Sequence, residues 1–284
     1  YLAIDWSGAK GPRQKGIALA IADADGGPPV LARHVWSRDE VLAVLREELP
    51  PDTLVGLDLG IALPFADGGA YFPGWAESPP DAPALWALID RIASKEPNLG
   101  ANAAVGHPLL RPYFRDGTET GAQFRCDGAT HGRGRFRVTE QAQARMGCKP
   151  YSNFNLVGAA QVGKSSLTGM RMLHRLRGRL PVWPVDPLPG RGSVVVEIYT
   201  SLAALAAGRV ASRAKMRSFS ELNEALGALG SPPVSGSGAI DDHSSDALLA
   251  AAWLRAVAHR RDCWSPSEMT PEIARTEGWT FGSV

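Results

Sequence analysis

No run of about 18 apolar residues occurs in the 284-residue chain, so no membrane-spanning helix is expected. A charged leader followed by an apolar stretch is also missing, which argues against export. Cysteine is scarce: Cys126, Cys148 and Cys263 are too few and too scattered for a disulfide framework, and a reducing cytoplasm is the expected location. No internal repeat is evident. An overall charge excess is lacking too, since the formal net charge is +1. That small sum conceals an uneven distribution: residues 1–110 carry a balance of −6, residues 111–217 one of +12, and residues 218–284 one of −5. A basic middle third between acidic ends is what a polyanion partner would select, and also what an Arg-rich solvated surface looks like.

The length accommodates one large domain or two small ones. "LAIDWS", "KGIALAIADA" and "PVLARHVW" read as three short strands, the last after the turn signal "DADGGPP". "SRDEVLAVLREEL" then has Ser37 as N-cap and Glu40 three residues on, the pattern of a capping box, with Val41, Leu42, Leu45 and Leu49 at helical spacing. "TLVGLDLG" is a buried strand. From residue 63 to 150 the pattern loosens around one helix, "APALWALIDRIASKE", and this stretch is expected to be an insertion or cap. Residues 1–62 and 151–284 are the expected core, with a helix near Ser165–Arg177, a strand "SVVVEIY", a hinge "GSPPVSGSG" and a last long helix. A short tail, "TEGWTFGSV", is placed to add a final strand or a lid. Strands alternating with helices after an early hairpin predict an α/β domain with a mixed sheet.

Several apolar runs end in or contain an acid. Asp5 follows Leu-Ala-Ile, Asp58 follows Leu-Val-Gly-Leu, and Glu197 follows Val-Val-Val. Each alone is compatible with a local turn hydrogen bond. The last helix adds Asp242 and Asp246, spaced i and i+4 on one face. Asp241 or Asp242 suits an N-cap, whereas Asp246 lies a turn inside and is followed by an all-apolar stretch from Ala247 to Leu254. A carboxylate buried there needs a partner. Hard divalent cations such as Mg²⁺ or Mn²⁺ prefer carboxylate oxygen, and two of them about 4 Å apart serve phosphodiester cleavage. Asp5, Asp58, Asp242 and Asp246, with Glu197 as a fifth candidate, are the expected ligands.

The segments "AIDWSGA", "GLDLGIALP", "FRVTE", "FNLVGAAQVGKSSLTGM", "VVEIYTS", "DDHSSDALLAAAWL" and "EGWTFG" resemble the domain of unknown function 429 family, whose members are expected to be ribonuclease H-like nucleases. The resemblance spans nearly the whole chain. It implies a ribonuclease H-like mixed sheet flanked by helices, and a two-metal nuclease acting on nucleic acid. Asp5 matches the first-strand acid and Asp58 the fourth-strand acid, although Glu is usual at the latter place. "His243-Ser-Ser-Asp246" is similar to the metal-binding helix of Holliday-junction resolvases of the RuvC type, with His243 or Asp242 assisting. The shorter arm of Asp58 is compatible with a single metal ion.

Other motifs compete. "GAAQVGKS", residues 158–165, fits the Walker A pattern and opens a helix, as a nucleotide-binding protein or kinase-like ATPase would require, but it comes late in the chain. Lys164 and Ser165 there suit a phosphate in either reading. "IDWSG" and "LDLG" also resemble phosphate loops of actin-like sugar kinases, for which the chain is short. Cys126, His131, Cys148 and His107 match no established zinc spacing. Arg171 and Arg175, with Arg133, Arg135 and Arg137, form the expected basic surface; Arg137 either lines the site or pairs with Glu140. A non-catalytic binding protein that kept the fold is a further possibility.

Overall fold

The chain is described by a computed structural model, which covers residues 1–125, 133–158, 162–210 and 215–284. Strands β1 (Leu2–Asp5), β2 (Ala18–Ile21), β3 (Val30–Leu31) and β4 (Leu54–Asp58) come first. A small separate hairpin, β5 (Arg115–Asp116) with β6 (Glu119–Thr120), precedes β7 (Val182–Trp183) and β8 (Val194–Glu197). The main sheet has the order β3-β2-β1-β4-β8-β7. The first three strands form an antiparallel meander, and β1, β4, β8 and β7 run parallel. The α/β class and mixed sheet expected from the sequence are therefore present. The third strand is shorter than its apolar run, since only Val30 and Leu31 pair with β2.

Parallel strands need helical crossovers, and these cover both faces of the sheet. On one face, helix α1 (Arg38–Ala43), α2 (Ala82–Ile92) and, after the short α3 (Asn102–Gly106) and α4 (Val138–Arg145), α5 (Val162–Leu176) pack over Ile4, Leu19, Val55, Leu57 and Val195. On the other, α6 (Thr200–Ala206), α7 (Phe219–Ala228) and α8 (Asp242–Val257) pack over Ala3, Ala18, Ala20, Leu54 and Val196. Two short helices, α9 (Arg261–Trp264) and α10 (Pro271–Thr276), close the chain. The period-2 alternation of each strand thus divides its side chains between two cores.

Small residues dominate the α8 face of β1 and β2, which lets that helix lie close. A Cβ on Gly56 would stand 2.7 Å from Leu254 Cδ1 of α8 and 2.8 Å from Ile198 Cγ2, so the glycine that interrupts the β4 run is there to admit side chains. Buried between the sheet, α6 and α7, α8 has no polar face beyond its first turn, as its composition predicts.

Helix α2, which falls in the stretch expected to be an insertion, packs against α5 and buries Leu85, Trp86 and Ile89 in the same cluster as the central strands. The stretch 63–150 therefore contributes to the main core. The capping box on α1 is formed: Glu40 N–H donates to Ser37 Oγ at 3.1 Å, and Ser37 N–H to Glu40 Oε2 at 2.7 Å. The tail pairs briefly with β8 through Thr280 and Glu197, and buries Trp279 and Phe281. Among the described residues no helix is long and apolar enough to cross a membrane.

Candidate active site

Asp5 and Asp58 are the last residues of two adjacent parallel strands, and they are in register. Residues opposite one another on paired strands project to the same face, so both carboxylates emerge beside the first turns of α8. That helix is N-capped by Asp241, whose carboxylate accepts from Ser244 N–H at 2.9 Å. With the cap assigned to Asp241, the following residues are free to face the strand ends. His243 Nδ1 lies 2.6 Å from Asp5 Oδ2. Asp246 is buried one turn further in and is bonded to the Lys215 ammonium. Asp5, Asp58, Asp246, His243 and Lys215 all border one cavity of about 550 Å³.

The electrostatics follow from crowding like charges out of water. Burial raises the Asp58 carboxyl well above the ordinary range, and the neighbouring Asp5 and Asp246 charges raise it further; Lys215 and a hydrogen bond from the Thr200 side chain oppose them. Asp5 is also raised by burial, against the lowering influence of His243 and Lys215. Burial pushes Asp246 up to about 6 despite the Lys215 ammonium. The hydrogen bond with Asp5 raises His243, partly offset by desolvation. Among the described residues Asp58 pairs with no cation of the chain. Asp242, the first residue of α8, is half-buried and borders no part of the cavity; it acts on Asp246 and Lys215 only through its charge.

The opposite wall is the start of α5, with Lys164 and Ser165. The loop after β1 is held against it. A Cβ on Gly8 would lie 2.3 Å from Lys164 C and 2.5 Å from Ser165 N, so only glycine permits this approach. Trp6 Nε1 donates to Thr168 Oγ1 at 3.0 Å. The buried Arg38 clamps the same loop, donating to the carbonyls of Ser7 (2.9 Å), Ala9 and, across the α2–α3 connection, Asn98 (2.7 Å). At the cavity mouth Tyr151 lies under the guanidinium of the exposed Arg133, 5.3 Å from ring centroid to Cζ.

Four expected site residues are bonded to other groups of the chain, although two of them, Glu197 and Arg137, still border the cavity. Glu197 pairs in register with Leu57, one position short of Asp58, so the pleat turns it to the opposite face. There it meets Arg137 at 2.5 Å and accepts from Ile61 N–H at 2.8 Å. Arg137, whose charge is held by Glu140 and Glu197 against the cost of burial, bonds both carboxylates and the Glu277 carbonyl. Of the two roles expected for it, the ion pair with Glu140 is formed, at 2.6 Å, and Arg137 also lines the cavity. It is only 1% exposed, with no guanidinium face free for substrate. Arg171 is fully buried on the α2 side of α5, bonded to Asp90 at 2.9 Å and to the carbonyls of Glu96 and Gly100. Arg175 reaches the same Asp90 at 3.4 Å and does not border the cavity. Three arginines of the basic middle third, Arg135, Arg137 and Arg171, are thus internal.

Lys215 and Thr200 were not singled out by sequence. Thr200 lies inside the quoted "VVEIYTS" segment, whereas Lys215 sits among three cations in "ASRAKMR" with nothing to distinguish it. Of the Walker A-like segment, residues 159–161 lie outside the described residues; Lys164 and Ser165 are in α5. Cys126 and His131 also lie outside them, and Cys148 is a buried free thiol. Among the described residues no three His, Cys, Asp or Glu side chains stand in ready ligand geometry, Asp5 and Asp246 each being turned to a cation of the chain. Comparison with protein-family models, curated proteins and solved structures found no match.

Proposed function

We propose that the chain is a ribonuclease H-like, metal-dependent phosphodiester hydrolase acting on nucleic acid. The observation that carries this reading is the meeting of Asp5, Asp58 and Asp246 at one cavity, contributed by two strands and a helix far apart in sequence. Carboxylates forced together in a partly buried cavity, one of them bonded to no cation among the described residues, fit a hard divalent cation such as Mg²⁺ or Mn²⁺. The mixed sheet flanked by helices is compatible with the fold that the sequence resemblance implies and supports this reading.

When bound, such an ion supplies Lewis-acid stabilisation of phosphoryl oxygens and an activated water. Asp5 and Asp58 would hold it, Asp246 would border it while bonded to the Lys215 ammonium, and His243 would fix the Asp5 carboxylate through its Nδ1 contact. Lys164 and Ser165, at the start of α5 across the cavity, are placed to receive substrate phosphate. Arg133 and Tyr151 at the mouth add a positive charge and an aromatic face, both of which suit a nucleic-acid strand.

The test is cleavage of a labelled DNA and RNA panel with Mg²⁺ or Mn²⁺. Wild type is expected to cleave at least one substrate, and Asp5→Asn to cleave none while remaining folded. Absence of cleavage by wild type on every substrate and with both ions would sink the proposal.

A further inference from the structure

Of the five carboxylates that border the cavity, Glu140 and Glu197 are paired with Arg137; for the other three, Asp5, Asp58 and Asp246, the chain supplies part of the counter-charge. Lys215 donates to Asp246 and acts electrostatically on Asp5, Asp58 and Asp242 as well. Its position is imposed by its neighbours. Met216 is fully buried, and its carbonyl accepts from Ser245 Oγ at 3.2 Å, one residue from Asp246 on α8. Arg217 N–H donates to Glu221 Oε2 at 2.7 Å, and the Arg217 carbonyl accepts from Ile240 N–H at 3.1 Å. The backbone that carries Lys215 is therefore bolted to the entrance of α7 and α8, and its half-exposed stem reaches back to the deepest acid of the site.

We propose that Lys215 stands where a second divalent cation would otherwise sit, so that the site takes one Mg²⁺ or Mn²⁺ between Asp5 and Asp58 while the ammonium remains on Asp246. The inference rests on the metal-dependent reading above and fixes its stoichiometry. Charge balance carries it. Asp5, Asp58 and Asp246 bring three negative charges, and Lys215 returns one. With His243 neutral, a single dication completes neutrality, whereas two would leave a surplus of positive charge in a partly buried place. Geometry agrees. Asp5 and Asp58 are adjacent in register, and among the described residues Asp58 is bonded to no cation, so the free position lies on the strand side of the cavity. Asp58 is also a short side chain, which keeps its carboxylate close to its own strand end.

The experiment counts ions without reference to turnover: Mn²⁺ titration of the full chain, followed by the electron paramagnetic resonance signal of free Mn²⁺. Wild type is expected to bind one ion per chain, Lys215→Met two, and Lys215→Arg one, with circular dichroism confirming that each is folded. Two ions on wild type, an unchanged count in Lys215→Met, or two ions on Lys215→Arg would each overturn the inference and leave metal dependence standing. A folded wild type that binds no Mn²⁺ at all overturns both.

Discussion

Asp5 and Asp58 stand side by side across the β1–β4 ladder, each the terminal residue of its strand, and among the described residues Asp58 is bonded to no cation of the chain. Such a pair is a local instability retained at a site, and removing one charge should relieve it. In EDTA, Asp58→Asn is expected to raise stability by about 1 kcal/mol, a size typical of neutralising a strained functional position. The same variant should lose the Mn²⁺-dependent rise in melting temperature that wild type shows. A melting series with and without Mn²⁺ reads both effects, and a retained metal shift would place the ion elsewhere.

Asp246 gives a pH signature. Its carboxyl is pushed up to about 6 by burial, so the folded chain keeps a proton that the unfolded chain releases near the ordinary value of 3.8. The folded state binds more protons in that window, and stability from this group falls as pH rises from about 4 to 6. Asp246→Asn removes the dependence. Relative to wild type, the variant should gain about 2–3 kcal/mol between pH 4 and pH 7 in metal-free buffer, measured by urea unfolding at both values. A difference that does not change with pH would show that Asp246 titrates normally.

How far the site could be read in advance depended on whether register mattered. Asp5 and Asp58 end apolar runs, and Asp246 sits at the entrance of a helix apolar on every side, so local pattern pointed to all three. Glu197 carries the same local pattern as Asp58, yet β8 pairs with β4 so that Leu57 is opposite Glu197. One residue of register turns Glu197 to the other face of the sheet from Asp58, where it borders the same cavity but is paired with Arg137, and register is a property of the pair of strands. Arg171 shows the same limit for helices: an arginine-rich turn reads as surface until α2 is known to lie on it with Asp90. Lys215 was invisible because its place is set by the burial of Met216 and by Ser245, contacts about 30 residues apart in sequence.

The Arg137 cluster should prove structural. Arg137→Met strands Glu140 and Glu197 in the interior, and breaking a buried pair in this way costs about 3–5 kcal/mol. Arg137→Lys should recover only part, because an ammonium cannot bond both carboxylates and the Glu277 carbonyl with the same fork. Urea midpoints of the two variants give the comparison. The Mn²⁺ count should stay at the wild-type value in Arg137→Lys, since Glu197 lies on the opposite face from the acids of the site.

Gly8 connects backbone packing to substrate binding. Its missing side chain lets the loop after β1 touch the backbone of Lys164 and Ser165, where a Cβ would lie at 2.3 and 2.5 Å. Backbone atoms within a helix cannot swing aside as a side-chain end would, so Gly8→Ala must separate the loop from α5. The expected cost is about 1–3 kcal/mol in stability, the usual range for overpacking. The more telling effect is on binding, because the shift moves Lys164 away from Asp5 across the cavity. If Lys164 meets a phosphate, Lys164→Ala should lower the slope of log affinity against log salt by about 1. Gly8→Ala should weaken binding with a similar loss of salt dependence, although it removes no charge. Fluorescence anisotropy of a labelled strand over a salt series, with Mg²⁺ replaced by Ca²⁺ to suppress cleavage, separates the outcomes. An unchanged slope in both variants would remove α5 from the substrate path.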